Sequence, residues 1–138
     1  MYESTFVMIK PDCVRDGHAD EIISMIEEHG YKITEKKEMI LTEEMVKEYY
    51  PHVVNKPFFP AGLAYMTSGP VLAMIAEGEN AVNGMIDFSG VAEENPELRN
   101  PKTTRERFGK NKSQNAFHRS DSPNIAKTEI ERFFGFSS

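Results

Sequence analysis

The stretch Thr5-Phe-Val-Met-Ile9 followed by Lys10-Pro11 is short, apolar and rich in β-branched residues, and it ends at a proline. This composition is typical of a buried strand. A second apolar run, residues 70–76, has the same character, and segments with helical spacing of apolar residues lie between the two. The sequence therefore predicts an α/β protein in which helices cover one face of a small sheet.

The other predicted elements follow from periodicity and from start and stop signals. Residues 31–40 mix apolar and charged side chains, which predicts a strand at a solvent-exposed edge and favours a mixed or antiparallel sheet. The remaining predictions are helices at 19–29, 42–50, 61–67, 79–88 and 123–134, and a short last strand at 115–118.

Composition limits the classes of protein to consider. A chain of 138 residues with 39% apolar residues predicts one domain, 1–138, with a single core. The net charge of −6 argues against binding nucleic acid through a generally basic surface. Cys13 is the only cysteine, which excludes an internal disulfide framework and a cysteine-rich zinc site. With no visible secretory signal and no long apolar run, we expect a cytoplasmic protein that does not enter the membrane.

The polar segment from about residue 89 to residue 113 is long for a loop, and loops of that length are usually functional. It carries many of the cations that could form a local phosphate site in an acidic protein. The candidate cations are Lys10, Arg99, Lys102, Arg105, Arg107, Lys110 and Lys112.

The segment from Asn115 to Pro123 places a histidine just before a strong helix start. Ser122 is a good N-cap and Pro123 suits the first helical position. Backbone donors at a helix start favour phosphate, and neutral imidazole is a competent nucleophile. From this segment alone, His118 is equally well interpreted as a surface histidine in a polar loop.

Glu129 is the most informative residue of the closing helix. At 100° per residue it falls on the apolar face, between Ile125 and Phe133. A carboxylate there is costly without a partner, so one interpretation is that it accepts a hydrogen bond from His118 and fixes the ring tautomer. The alternative is a glutamate at a frayed or subunit-facing edge.

Four blocks, TFVMIKPD, KPFFPAGLAYMTSGPV, PKTTRERFG and NAFHRSDSP, run in the order and at nearly the spacing of the nucleoside diphosphate kinase family, which the chain resembles over almost its whole length. The resemblance implies a ferredoxin-like α/β sandwich with a four-stranded antiparallel sheet. It also implies transfer of a γ-phosphoryl group from a nucleoside triphosphate to His118 and then to a nucleoside diphosphate. Ser120 and Glu129 match residues that support the catalytic histidine.

The resemblance further assigns a nucleotide-binding set. In it, Lys10 and Arg105 contact phosphate, Asn115 contacts ribose and phosphate, and Tyr50 assists phosphate placement. The residues matched to the base are Phe58, which stacks on it, and Leu63, which lines the same slot.

The resemblance implies Mg²⁺ that arrives with the nucleotide, bound through its phosphates without protein ligands. It also suggests a homo-oligomer, a tetramer or hexamer built from dimers. Nucleoside di- and triphosphates are the expected partners, and neither a membrane nor a specific nucleic acid is expected.

The chain departs from the family pattern before the histidine. Ile86 and Ala92 stand where the family has an arginine and a threonine that bind phosphates. Arg99 is a candidate substitute, and Arg119, next to the histidine, could contact phosphate or a neighbouring subunit. The departures keep open a degenerate relative that binds nucleotides or a protein partner; a ferredoxin-like RNA-binding module is disfavoured by the acidic balance.

Overall fold

The computed structural model describes residues 2–49, 51, 54–57, 59–89 and 117–135. Within these residues the chain forms four strands and six helices. The strands are β1 (Tyr2–Ile9), β2 (Lys32–Met39), β3 (Val71–Glu79) and β4 (Phe117–Arg119). The helices are α1 (Pro11–Arg15), α2 (Ala19–Glu28), α3 (Glu43–Tyr49), α4 (Phe59–Met66), α5 (Ala81–Ser89) and α6 (Pro123–Phe134).

The strands form one sheet in the order β2-β3-β1-β4, and every pairing is antiparallel. This arrangement confirms the predicted ferredoxin-like sandwich. The charged strand β2 lies at one edge, as its composition predicts, and the short strand β4 lies at the other. Strand β1 is buried from Thr5 to Ile9 and pairs with both β3 and β4, so Lys10 and His118 lie near its carboxyl end.

Helices cover both faces of the sheet, so the prediction of one covered face was wrong. Val7 and Ile9 of β1 point toward α2 and α5, where they pack with Ile22 and Phe88. The alternate residues of β1 face the other way because side chains in a strand alternate between faces. They meet residues of α3, α4 and α6; this second core contains Phe6, Met8, Leu41, Val46, Phe59, Val71, Ala73, Ile75, Ile130 and Phe133.

Two boundaries differ from prediction for identifiable reasons. Pro11 ends β1 as expected, but it also occupies the first turn of α1, where a missing N–H is tolerated, and this helix was not predicted. Strand β3 continues to Glu79, and Asn80 then turns the chain into α5 with a φ of 51°. Asparagine is one of the few residues that adopts this left-handed conformation readily.

Helix α6 begins and ends at the signals in the sequence. The Oγ of Ser122 accepts a hydrogen bond from the backbone N–H of Ile125 at 3.2 Å, and Gly135 closes the helix with a φ of 78°. One helical-face assignment was wrong, because Ile125 is 42% exposed. Ile125 lies in the exposed first turn of α6, whereas Ala126, Ile130 and Phe133 are buried.

Candidate active site

His118 lies at the centre of β4, opposite Met8 of β1. Directly opposed residues of an antiparallel pair share a face, so the imidazole points to the α6 side of the sheet with Met8. Its ring lies 5.9 Å from the ring of Phe6, measured between centroids. The side chain is 19% exposed, which leaves the imidazole accessible from one side only.

Glu129 joins His118 to Ser120 through a chain of hydrogen bonds. The Nε2 of His118 lies 2.6 Å from one carboxylate oxygen of Glu129, and the Oγ of Ser120 donates to the other oxygen at 2.6 Å. The backbone N–H of Ser120 donates in turn to the carbonyl of Phe6 at 3.2 Å. Glu129 is 6% exposed and Ser120 is fully buried, so the carboxylate is held by a buried partner.

This arrangement fixes the chemistry of the imidazole. An ionised Glu129 accepts a hydrogen bond from Nε2–H of His118. The lone pair of the neutral ring is then on Nδ1. The carboxylate also stabilises positive charge that develops on the ring when Nδ1 attacks an electrophile. The partner predicted for Glu129 from its position on α6 is therefore the one that the structure provides, and the interpretation as a frayed edge is excluded.

Lys10 lies at the junction of β1 and α1. Its ammonium nitrogen is 5.9 Å from the ring centroid of Tyr65 on α4, within the range of a cation–π contact. The hydroxyl of Tyr65 donates to the Oδ1 of Asp12 at 2.5 Å. Sequence reasoning missed both Asp12 and Tyr65. The only signals were an aspartate in the first turn of α1 and a tyrosine in a short apolar helix, 53 positions apart.

The other predicted nucleotide-binding residues are only partly covered. Leu63 is half-buried on α4, against the core beneath α3 and α4, and Phe59, four residues earlier on the same helix, is a core residue. Tyr50, Phe58, Arg105 and Asn115 lie outside the described residues, as do Ala92 and Arg99.

Arg119 faces away from His118. It pairs with Val7, whose side chain belongs to the α2 and α5 side of the sheet, so strand alternation places the two neighbours on opposite faces. The guanidinium forms an ion pair with Asp121. This facing argues against the hypothesis that Arg119 offsets the missing phosphate contacts beside the histidine. The position expected to hold the family arginine, Ile86, is a half-buried residue of α5.

Comparisons with known proteins agree with this geometry. The family model described as "Nucleoside diphosphate kinase" matches residues 3–137. The chain belongs to the nucleoside diphosphate kinase family. It is 41% identical over 133 residues to the nucleoside diphosphate kinase of Symbiobacterium thermophilum, which covers 96% of this chain and 87% of that protein. It is 42% identical over 132 residues to the enzyme of Archaeoglobus fulgidus, with 96% and 86% covered.

Solved structures of nucleoside diphosphate kinases have the same fold. The enzyme from Aquifex aeolicus superposes with a TM-score of 0.87 at 34% identity, over 100% of this chain and 97% of that one. The enzyme from Halobacterium salinarum, solved in complex with CDP, superposes with a TM-score of 0.88 at 34% identity, over 99% and 90%. The chain is accordingly a phosphotransferase that acts between nucleoside di- and triphosphates.

Among the described residues, the carboxylates near His118 and Lys10 already have partners: Glu129 binds His118 and Ser120, Asp12 binds Tyr65, and Asp121 pairs with Arg119. The described part of the chain contains no group of three or more His, Cys, Asp or Glu side chains placed to bind a metal. None of the described helices is long and apolar enough to span a membrane.

Proposed function

We propose that the chain transfers the γ-phosphoryl group by a ping-pong mechanism through a phosphohistidine at His118. The observation that carries the proposal is the chain of hydrogen bonds from His118 through Glu129 to Ser120. A buried carboxylate that binds Nε2 directs the lone pair of the ring to Nδ1 and supports the positive charge that follows attack.

In the first half-reaction, Nδ1 of His118 attacks the γ-phosphorus and a nitrogen–phosphorus bond forms. The bond between the γ-phosphorus and the bridging oxygen breaks, and the nucleoside diphosphate leaves with that electron pair. Glu129 keeps its hydrogen bond to Nε2–H throughout. In the second half-reaction, a terminal phosphate oxygen of another nucleoside diphosphate attacks the phosphohistidine, and the electron pair of the broken bond returns to Nδ1.

The nucleotide is proposed to bind between Lys10 and His118. Lys10 lies at the carboxyl end of β1, next to the strand that carries His118, where its ammonium can reach phosphate oxygens. Leu63 on α4 is assigned to the base slot, and Tyr50, Phe58, Arg105 and Asn115 complete the proposed set. The CDP bound by the Halobacterium salinarum relative supports a nucleotide ligand of this class. Mg²⁺ that arrives with the nucleotide would neutralise part of the charge of the phosphates.

Labelling tests the mechanism. The protein is incubated with Mg·ATP labelled on the γ-phosphate and is then chased with a different nucleoside diphosphate. We expect an acid-labile phosphoprotein that discharges its label onto the diphosphate, and no labelling of His118→Ala. His29→Ala is the matched control, because His29 is exposed and packs its ring against Phe88 on the other face of the sheet.

The control should be labelled at the wild-type rate. A wild-type protein that binds nucleotide without becoming labelled, or a His118→Ala protein that still passes label to the diphosphate, overturns the proposal.

We also propose a homo-oligomer, a tetramer or hexamer of dimers. Sedimentation of the intact chain at the mass of a monomer refutes that part independently of the labelling.

A further inference from the structure

Asp12 is a buried acidic residue with no place in the reaction as described above. It is 3% exposed and lies in the first turn of α1, two residues after Lys10. A buried carboxylate is costly unless hydrogen bonds compensate for lost hydration. One of its oxygens accepts a hydrogen bond from the hydroxyl of Tyr65, which is itself 8% exposed.

The hydrogen bond between Asp12 and Tyr65 ties α1 to α4. Tyr65 has two side-chain torsions, and the hydrogen bond from its hydroxyl holds the far end of the ring in position. The ammonium of Lys10 lies 5.9 Å from the centroid of that ring. A long lysine side chain has many rotamers, so a fixed aromatic ring beside it restricts where the charge is held.

The same two residues line an open cleft. The cleft has a volume of about 400 Å³ and is lined by Asp12, Arg15, Ala61, Ala64, Tyr65 and Ser68. Tyr65 thus lines this cleft and also lies within cation–π distance of Lys10, and its hydroxyl anchor restrains the ring there. A purely apolar ring at this position would have no directional restraint.

We infer that Tyr65, anchored by Asp12, is a positioning residue that aims the ammonium of Lys10 at the phosphate of the nucleotide. The inference rests on the proposed role of Lys10 as a phosphate contact. In this assignment Asp12 acts on Lys10 through the ring of Tyr65, so both are positioning residues rather than catalytic ones.

A double-mutant cycle tests the inference with the rate of His118 phosphorylation by Mg·ATP in a single turnover. Tyr65→Phe keeps the ring and removes the anchor, and we expect the rate to fall about tenfold, the scale of a partly desolvated cation–π contact. In the Lys10→Ala background the same change should have almost no further effect, because a residue that acts through Lys10 has nothing left to position. A residue that only stabilises the fold lowers the rate by the same factor in both backgrounds.

Two further comparisons separate positioning from folding. Tyr31→Phe is the matched control, since it also removes a hydroxyl, one that donates to the carbonyl of Glu79 at 3.2 Å on the far side of the sheet. It should be phosphorylated at the wild-type rate. Asp12→Asn retains an oxygen that accepts from Tyr65 and should keep more of the rate than Asp12→Ala, with the fraction of folded protein in each sample measured by circular dichroism.

The inference is overturned if Tyr65→Phe is phosphorylated at the wild-type rate or if its effect multiplies with that of Lys10→Ala. It is also overturned if Lys10→Ala itself has no effect, although the phosphohistidine mechanism then still stands. Absence of any phosphorylation of the wild-type protein refutes the mechanism instead, so the two failures are distinguishable.

Discussion

Two buried carboxylates, Glu129 on α6 and Asp12 on α1, support the two functional side chains of the described site in different ways. Glu129 binds His118 directly at 2.6 Å and has a second partner in Ser120. Asp12 is linked to Lys10 through the ring of Tyr65. A histidine in the proposed role of nucleophile has to keep one tautomer and one orientation, which takes a direct hydrogen bond, whereas an ammonium ion needs only an approximate direction. The side chain proposed to form a bond with phosphorus is therefore held more rigidly than the side chain proposed to supply a charge.

The largest effect on the rate of His118 phosphorylation is expected when Glu129, which contacts His118 directly, loses its charge. Glu129→Gln retains an oxygen for Nε2–H but removes the negative charge that stabilises the attacking imidazole. We expect the single-turnover rate of His118 phosphorylation to fall by about a hundredfold or more, in line with the ~3 kcal/mol lost with one preorganised electrostatic partner. A fall no greater than that of Tyr65→Phe contradicts the contrast between direct and indirect support.

A smaller effect is expected when the second partner of Glu129 is removed. Ser120→Ala leaves a buried carboxylate oxygen without its donor, which should lower the free energy of unfolding by about 1–3 kcal/mol. The rate of phosphorylation should fall about tenfold because Glu129 is then less firmly held.

Ser122→Ala is the matched serine variant. It removes the N-cap of α6 and should lower the free energy of unfolding by about 1 kcal/mol, measured by urea titration, while the rate stays at the wild-type value. Equal losses of rate in the two serine variants would show that the stability of α6, rather than the orientation of Glu129, controls the reaction.

The smallest effect on the rate of phosphorylation is expected at Arg119, the residue that follows His118. Arg119→Ala removes a cation adjacent to His118 in sequence but on the opposite face of the sheet, and its ion pair with Asp121 is at the surface. The rate of phosphorylation should change by no more than about twofold, the usual range for such a site. A large loss would place the guanidinium in the phosphate site and would contradict the facing deduced from strand alternation.

The fold was predictable because local signals agree with it. The apolar run of β1, the charged edge strand β2 and the capped helix α6 all lie close to where their residues predict. Glu129 was predictable as well, because a carboxylate on an apolar helix face calls for a partner and His118 is only 11 positions away. The face of Arg119 was not predicted, because it depends on the register between β4 and β1 rather than on either segment alone.

The pairing of Asp12 with Tyr65 could not be predicted for a related reason. Each residue has an ordinary local role, one in the first turn of a helix and one on a helix that packs on the core. Only the close approach of α1 and α4, set by the packing of distant segments, reveals that the two side chains meet. Long-range polar contacts of this kind leave no periodic trace in a sequence.

Strand β4 is three residues long, and the alternation of its side chains places the adjacent residues His118 and Arg119 in different surroundings. The side chain at position 118 faces Glu129, while the side chain at position 119 faces the α5 side of the sheet because it pairs with Val7. A large cation beside His118 therefore need not crowd the face on which His118 contacts Glu129. We expect insertion to disturb the site more than substitution. One residue added between β4 and the N-cap at Ser122 would turn His118 away from Glu129 or rotate α6 by about 100°.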